Sequence, residues 1–92
     1  MSKKSSPTRF RVSSNCNHEV IGENLIILNR KTGNYHEMNQ IGKEIWIFIE
    51  KNRPDLQEII TFMSKNYEED SIREDIEEFI NELIEKQILE YD

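Results

Sequence analysis

The sequence predicts an α+β fold: a small N-terminal antiparallel sheet of three strands, followed by three α-helices. Two observations carry the sheet and one carries the helices. Leu25 to Leu28 is an apolar run of strand length, and Tyr35 to Met38 returns after a turn. The turn, Asn29 to Asn34, contains Lys31, Thr32 and Gly33, with Gly33 the residue best suited to φ > 0. After Asn39 the pattern changes period: Ile41, Ile45, Phe48 and Ile49 fall at i, i+4, i+7 and i+8, one face of a helix.

In chain order, residues 1–7 are polar and read as a disordered tail, leaving residues 8–92 as one domain. Thr8 to Ser13 alternates, with Phe10 and Val12 on one side and Arg9 and Arg11 on the other, as a half-buried strand does. Ser14 to His18 reads as a polar loop, and Val20 and Ile21 as a short strand before Gly22. Tyr35 is aromatic and favours the second hairpin strand. Asn39 caps helix one, Gln40 to Lys51, by accepting an orphan backbone N–H. Gly42 sits in the first turn, where it costs about 1 kcal/mol relative to alanine, so another backbone is expected to pass close by.

Arg53-Pro54 ends helix one, because a residue before proline is driven from the helical region. Pro54 can open helix two, where its missing N–H costs nothing. Helix two, Asp55 to Tyr67, buries Leu56, Ile59, Ile60 and Met63. Ser71 is the expected cap of helix three, with Glu74 as capping-box partner. That helix runs to about Lys86, and Ile88 and Leu89 pack back. At 100° per residue its apolar residues, Ile72, Ile76, Phe79, Ile80, Leu83 and Ile84, span about 140°, wider than the ~100° that one neighbour needs. The whole arc can be core, or one margin can line a groove. A small sheet followed by three helices is a winged-helix-like layout, and fold alone does not settle function.

Composition narrows the classes. The 92 residues carry a net charge of −6 and one cysteine, Cys16, which cannot form an internal disulfide and fits a reducing cytoplasm. No apolar run approaches the ~20 residues of a membrane span, and no apolar stretch follows Lys3 and Lys4 as a signal peptide requires. Charge is segregated: residues 1–18 carry +4, residues 19–54 carry zero, and residues 55–92 carry −10. An acidic C-terminal half repels phosphate, which weighs against nucleic acid and suits a partner that presents basic residues.

No catalytic or metal constellation is legible, so no cofactor is expected. Cys16 and His18 lack the second Cys/His pair of a closed zinc site. His36 and Glu37 are neighbours in a strand and point to opposite faces. The three glycines are scattered, and no phosphate loop is present. Trp46 reads as core or core margin, Tyr35 as cover for the sheet, and Asp75 as a solvated acid able to select a basic residue on a peptide.

The motifs carry a resemblance. Met38-Asn39-Gln40-Ile41-Gly42-Lys43-Glu44-Ile45-Trp46 resembles the Leu-Asn-x-x-Gly-x-x-Ile-Trp signature of the PqqD-like family, which binds leader peptides of ribosomally made, modified peptides. Leu28 to Tyr35 resembles its Leu-(Asp/Asn)-x-x-Thr-Gly-x-Tyr hairpin, and Lys86-Gln87-Ile88-Leu89 its Lys-Gly-Leu-Leu exit. The resemblance covers roughly residues 20–91. Met38 replaces the usual Leu, a tolerable swap. Gln87 replaces the usual Gly and removes a favoured cap.

The resemblance implies a non-catalytic protein, monomeric and cytoplasmic, that binds the leader of a precursor peptide. It would deliver that leader to a leader peptidase or another modifying enzyme such as a radical enzyme. Among family members the chain is most similar to the stand-alone recognition proteins of lasso-peptide pathways. The leader would add as a strand to the second hairpin strand and rest on helix three. The expected site is then Asn34, Tyr35, His36, Glu37 and Met38 on the strand, facing Ile72, Asp75, Ile76, Phe79 and Leu83 on the helix. Proline at His36 is expected to abolish binding if that N–H faces the leader. Two alternatives stand beside this reading. A winged-helix DNA-binding regulator needs Lys/Arg on its recognition helix, but helix three has six acids between Glu74 and Glu85. A structural subunit of a larger complex is the other.

Overall fold

The computed structural model describes residues 8–92; the expected N-terminal tail lies outside them. The elements are β1 (Phe10–Val12), β2 (Cys16–Ile21), β3 (Asn24–Asn29), β4 (Tyr35–Met38), α1 (Gln40–Asn52), α2 (Leu56–Met63), α3 (Glu69–Glu85) and β5 (Leu89–Tyr91). The α+β class and the order of sheet before helices hold.

The strand pairing corrects the expected sheet. Three strands do form one antiparallel sheet, β2-β3-β4, but β1 is not among them. β1 pairs with β5, Phe10 opposite Tyr91 and Val12 opposite Leu89, so the two ends of the described chain close on each other. Ile88 and Leu89 pack back because they lead into this ribbon. The third strand of the main sheet is β2, which takes in Cys16 to His18, expected as loop. Its side chains are mostly exposed, so its sequence lacks the apolar alternation that marks a half-buried strand.

Helix ends also differ from expectation. Asp55, rather than Pro54, controls the start of α2: its carboxylate accepts the Glu58 N–H, and the Glu58 side chain accepts the Asp55 N–H. Pro54 lies just outside, buried, and its carbonyl accepts the Phe10 N–H at 2.9 Å. α2 ends at Met63, four residues short of Tyr67. α3 begins at Glu69, so Ser71 lies in its first turn and caps nothing; Glu68 is the N-cap without a side-chain bond. Three acids, Glu68, Glu69 and Asp70, sit at this N-terminus, where the helix dipole favours negative charge.

The exit of α3 is a Schellman turn. Ile88 donates its N–H to the Leu83 carbonyl at 2.9 Å, and Gln87 donates to the Ile84 carbonyl at 3.0 Å. The turn requires a left-handed residue, and Gln87 takes it at φ +61. Ile88 and Leu83, which such turns bring together, are both fully buried. The glycine absent from the sequence therefore leaves the fold unchanged and adds strain at one residue.

One core joins the elements: Leu25, Ile27 and Met38 from the sheet, Ile45, Trp46 and Ile49 from α1, Ile59, Ile60 and Met63 from α2, and Ile72, Ile76, Ile80 and Leu83 from α3. Trp46 is core, and its indole Nε1 has no hydrogen-bond partner among the described residues.

A cleft between an open strand edge and helix three

The hairpin that builds one wall is held by Asn29. This side chain is buried, and its Oδ1 accepts the N–H groups of Lys31 (2.9 Å) and Thr32 (3.2 Å), shaping the turn. Its Nδ2 donates to the Gln87 carbonyl at 2.8 Å, which ties the hairpin to the exit of α3. Gly33 takes φ +80 in the same turn.

Backbone direction along β4 follows from the register. Asn29 donates its N–H to the Asn34 carbonyl at 2.8 Å, so these two form a hydrogen-bonded pair. Such pairs alternate in an antiparallel ladder. With Leu28 opposite Tyr35, Ile27 opposite His36, Ile26 opposite Glu37 and Leu25 opposite Met38, the His36 and Met38 backbone groups turn toward β3. Those of Tyr35 and Glu37 turn outward. β4 is an edge strand, so the outward groups face an open side. The expectation for proline at His36 is thereby corrected: that N–H belongs to the sheet, and the donors available to another chain are Tyr35 and Glu37.

Beside this edge lies a cavity of about 240 Å³, lined by His36, Glu37, Met38, Asn39, Ile41, Gly42, Ile45, Asp75 and Phe79. Met38 and Ile45 are buried beneath it, and Phe79 is half-buried across from β4. The Phe79 and His36 rings meet edge to face, with centroids 5.9 Å apart. Gly42 makes room for this arrangement. A methyl group built on it would lie 3.1 Å from Phe79 Cε1 and 3.2 Å from Met38 Cβ. What approaches Gly42 is thus two side chains, rather than the backbone expected from the sequence.

Of the expected site residues, His36, Glu37, Met38, Asp75 and Phe79 come together around the cavity. Ile72, Ile76 and Leu83 do not; each is at most 2% exposed, so their side chains belong to the core and the candidate site is drawn without them. Tyr35 offers backbone to the edge, while its side chain, 67% exposed, lies on the outer face of the sheet with Ile26 and Leu28. Asn34 closes one end: its Nδ2 donates to the Lys86 carbonyl at 3.2 Å.

Four contributors escaped the sequence reading. Ile41 and Ile45 read only as the apolar face of helix one, Lys86 as part of the exit motif and Glu82 as one acid among six on helix three. The Lys86 ammonium lies 3.0 Å from His36 Nδ1, 3.4 Å from Glu82 and 3.5 Å from the Tyr35 carbonyl. Burial pushes the His36 pKa below its ordinary value and the Lys86 charge pushes it further, against the opposing pull of Glu82. The imidazole is then neutral at pH 7, and Nδ1 can accept from Lys86. Asp75, at the other end, makes no ion pair among the described residues. Among those residues no three His, Cys, Asp or Glu side chains gather as a metal site, and no helix is long and apolar enough to cross a membrane.

Residues 24–89 match the family described as Coenzyme PQQ synthesis protein D (PqqD). The chain belongs to the PqqD family. The match spans both walls of the cleft and the exit of α3. Two solved structures share the fold of this PqqD-family chain at a TM-score of 0.77. One is TbiB1 in complex with the TbiA(beta) leader peptide, at 23% identity over 87% of this chain and 94% of that one. The other is a lasso peptide synthetase B1 complexed with the leader peptide, at 17% identity over 89% and 98%. The heterocyclase TruD contains a similar unit, with a TM-score of 0.67 and 19% identity; the match covers 94% of this chain and 12% of TruD. No curated protein matches the chain.

Proposed function

We propose that this PqqD-family chain binds the leader segment of a ribosomally synthesised precursor peptide and delivers it to the enzyme that modifies it. That enzyme is a leader peptidase or another modifying enzyme such as a radical enzyme. The chain acts without chemistry of its own, as a monomer in the cytoplasm. The observation that carries this reading is an open strand edge running beside an apolar cavity. A peptide in extended form can pair with Tyr35 and Glu37 through its backbone and place alternate side chains against Met38, Ile41, Ile45 and Phe79. That is β-strand addition, in which backbone gives affinity and pockets give specificity. β4 has four residues, short enough to limit indiscriminate pairing at an open edge. The leader peptides named with TbiB1 and with the lasso peptide synthetase B1 support the ligand class. The similar unit inside a heterocyclase supports a place beside modifying enzymes.

The test is a titration of the ¹⁵N-labelled protein with a synthetic leader peptide, taken from a short precursor frame sought next to its gene. Amide shifts confined to residues 34–39, 41–45 and 75–79 support the site. Shifts confined to α2 or to Phe10–Val12 reject it.

A further inference from the structure

The cleft has one shut end, where the Lys86 side chain stands over the strand edge. The Tyr35 carbonyl is one of the outward acceptors of β4, and the Lys86 ammonium stands 3.5 Å from it. The ammonium is kept there by His36 Nδ1 at 3.0 Å and the Glu82 carboxylate at 3.4 Å. Behind it, the Asn34 side chain binds the Lys86 carbonyl at 3.2 Å, and Asn29 binds the Gln87 carbonyl at 2.8 Å. The end of β4 nearest the turn is therefore sewn to the exit of α3. The Met38–Asp75 end carries no such bridge among the described hydrogen bonds. An added strand can take both backbone groups of Glu37 and the N–H of Tyr35, but the Lys86 ammonium stands 3.5 Å from the Tyr35 carbonyl, in the path of a strand that would pair there.

We propose that Lys86 is a positioning residue that stops the leader strand at Tyr35 and so selects one pairing register; this rests on the leader-binding reading above. A strand edge alone specifies register weakly. Slippage by one residue would turn the apolar side chains out of the cavity, which the cavity itself forbids. Slippage by two keeps them facing it, and a block along the strand prevents it. Lys86 supplies that block. A flexible leader is thereby presented in one alignment, with its continuation leaving the cleft at a fixed place.

The experiment uses the same synthetic leader carrying a nitroxide at its N-terminus, with ¹⁵N-labelled wild type, Lys86→Met and Lys86→Arg. Lys86→Met keeps an apolar stem and the backbone carbonyl that Asn34 uses, and loses the ammonium. Wild type should give one set of bound cross-peaks, with slowed exchange of the Glu37 amide and relaxation at one cluster of cleft residues. Lys86→Met should give a second set, its relaxation displaced by about 6.8 Å along β4, the two-residue repeat of a strand. Lys86→Arg, which restores a cationic donor, should return the single set. One unchanged register in all three proteins overturns the stop and leaves leader binding standing. A wild type whose cleft amides do not respond overturns leader binding itself, and the stop with it. Melting curves of the three proteins separate register from folding.

Discussion

Both margins of α3 are apolar and both line a cavity, yet they are built differently. The Asp75–Phe79 margin faces β4 across the smaller cavity, about 240 Å³. The Ile80–Ile84 margin faces Phe10, Leu56 and Tyr91 across one of about 380 Å³. On that second side part of the neighbouring backbone is taken, while Leu89 and Tyr91 turn their own backbone groups out of the two-stranded β1–β5 ribbon. β1 pairs with β5, Phe10 donates to the Pro54 carbonyl, Ser13 to Ile88, and Asp92 to Arg9. On the first side both outward groups of Glu37 and the N–H of Tyr35 remain for another chain. Volume alone therefore does not choose between the two cavities. The smaller cavity combines the free backbone groups of Glu37 with an apolar floor from Met38, Ile41 and Ile45.

The sharpest way to break this comparison is proline at two adjacent positions. Glu37→Pro removes an outward N–H from an edge strand, a placement sheets accept. It should weaken leader binding by roughly 10-fold, the worth of about one lost hydrogen bond, with little change in melting temperature. His36→Pro removes a ladder bond to β3 and should destabilise the fold by about 3 kcal/mol. Equal loss of binding with equal melting in the two variants would show that the register has been misassigned.

Alanine at the two margins comes next. Phe79→Ala should reduce leader affinity by about 1–3 kcal/mol while the protein still folds, because Phe79 is only half-buried. Ile80→Ala, buried on the other margin, should cost about 2–5 kcal/mol of stability and leave the affinity of the folded fraction unchanged. A melting curve and a titration on each variant separate the two effects. Phe79→Ala that loses melting temperature and keeps affinity would make Phe79 plain core.

A smaller effect follows from His36. Its folded pKa lies below the ordinary 6.5 because burial and Lys86 oppose protonation. As pH falls below about 6.5 the unfolded chain takes up this proton before the folded one. Stability from neutral His36 is thus complete above that value and is lost as pH falls toward the folded pKa. Melting temperature should drop more between pH 7 and pH 5 in wild type than in His36→Gln. Parallel curves would show that the imidazole is not held neutral.

The smallest effect is at Gln87. Glycine there relieves the left-handed strain and should add about 0.5–1 kcal/mol, a rise of a few degrees in melting temperature. Leader affinity should be unchanged, since the side chain lies outside the cleft.

Legibility differed from element to element. The hairpin at Leu25–Met38, the Asn39 cap and the apolar stripes of the three helices were plain, because each is a local pattern with its own period. The Asn39 side chain does accept the Gly42 N–H, at 3.2 Å. β2 was half-missed because an exposed strand carries no alternation. Ser71 lies three residues past the observed cap, Glu68, since a good capping residue is equally able to sit in a first turn. The site was half-legible for the same reason. His36, Met38 and Phe79 lie on elements whose type could be read, whereas Lys86 acquires its role only by standing next to a carbonyl 51 residues away.

The class of the fold and the family are legible in the sequence, since these rest on composition, short motifs and local periodicity. Only the tertiary structure decided that β1 closes against β5. It also decided that Tyr35 and Glu37, rather than His36, present the open edge, and that the cleft lies on the Asp75–Phe79 margin of α3. Those outcomes depend on register and on which face meets which. Helical period places apolar residues on an arc about 140° wide, but which neighbour covers each side of that arc is set by packing between elements distant in the chain.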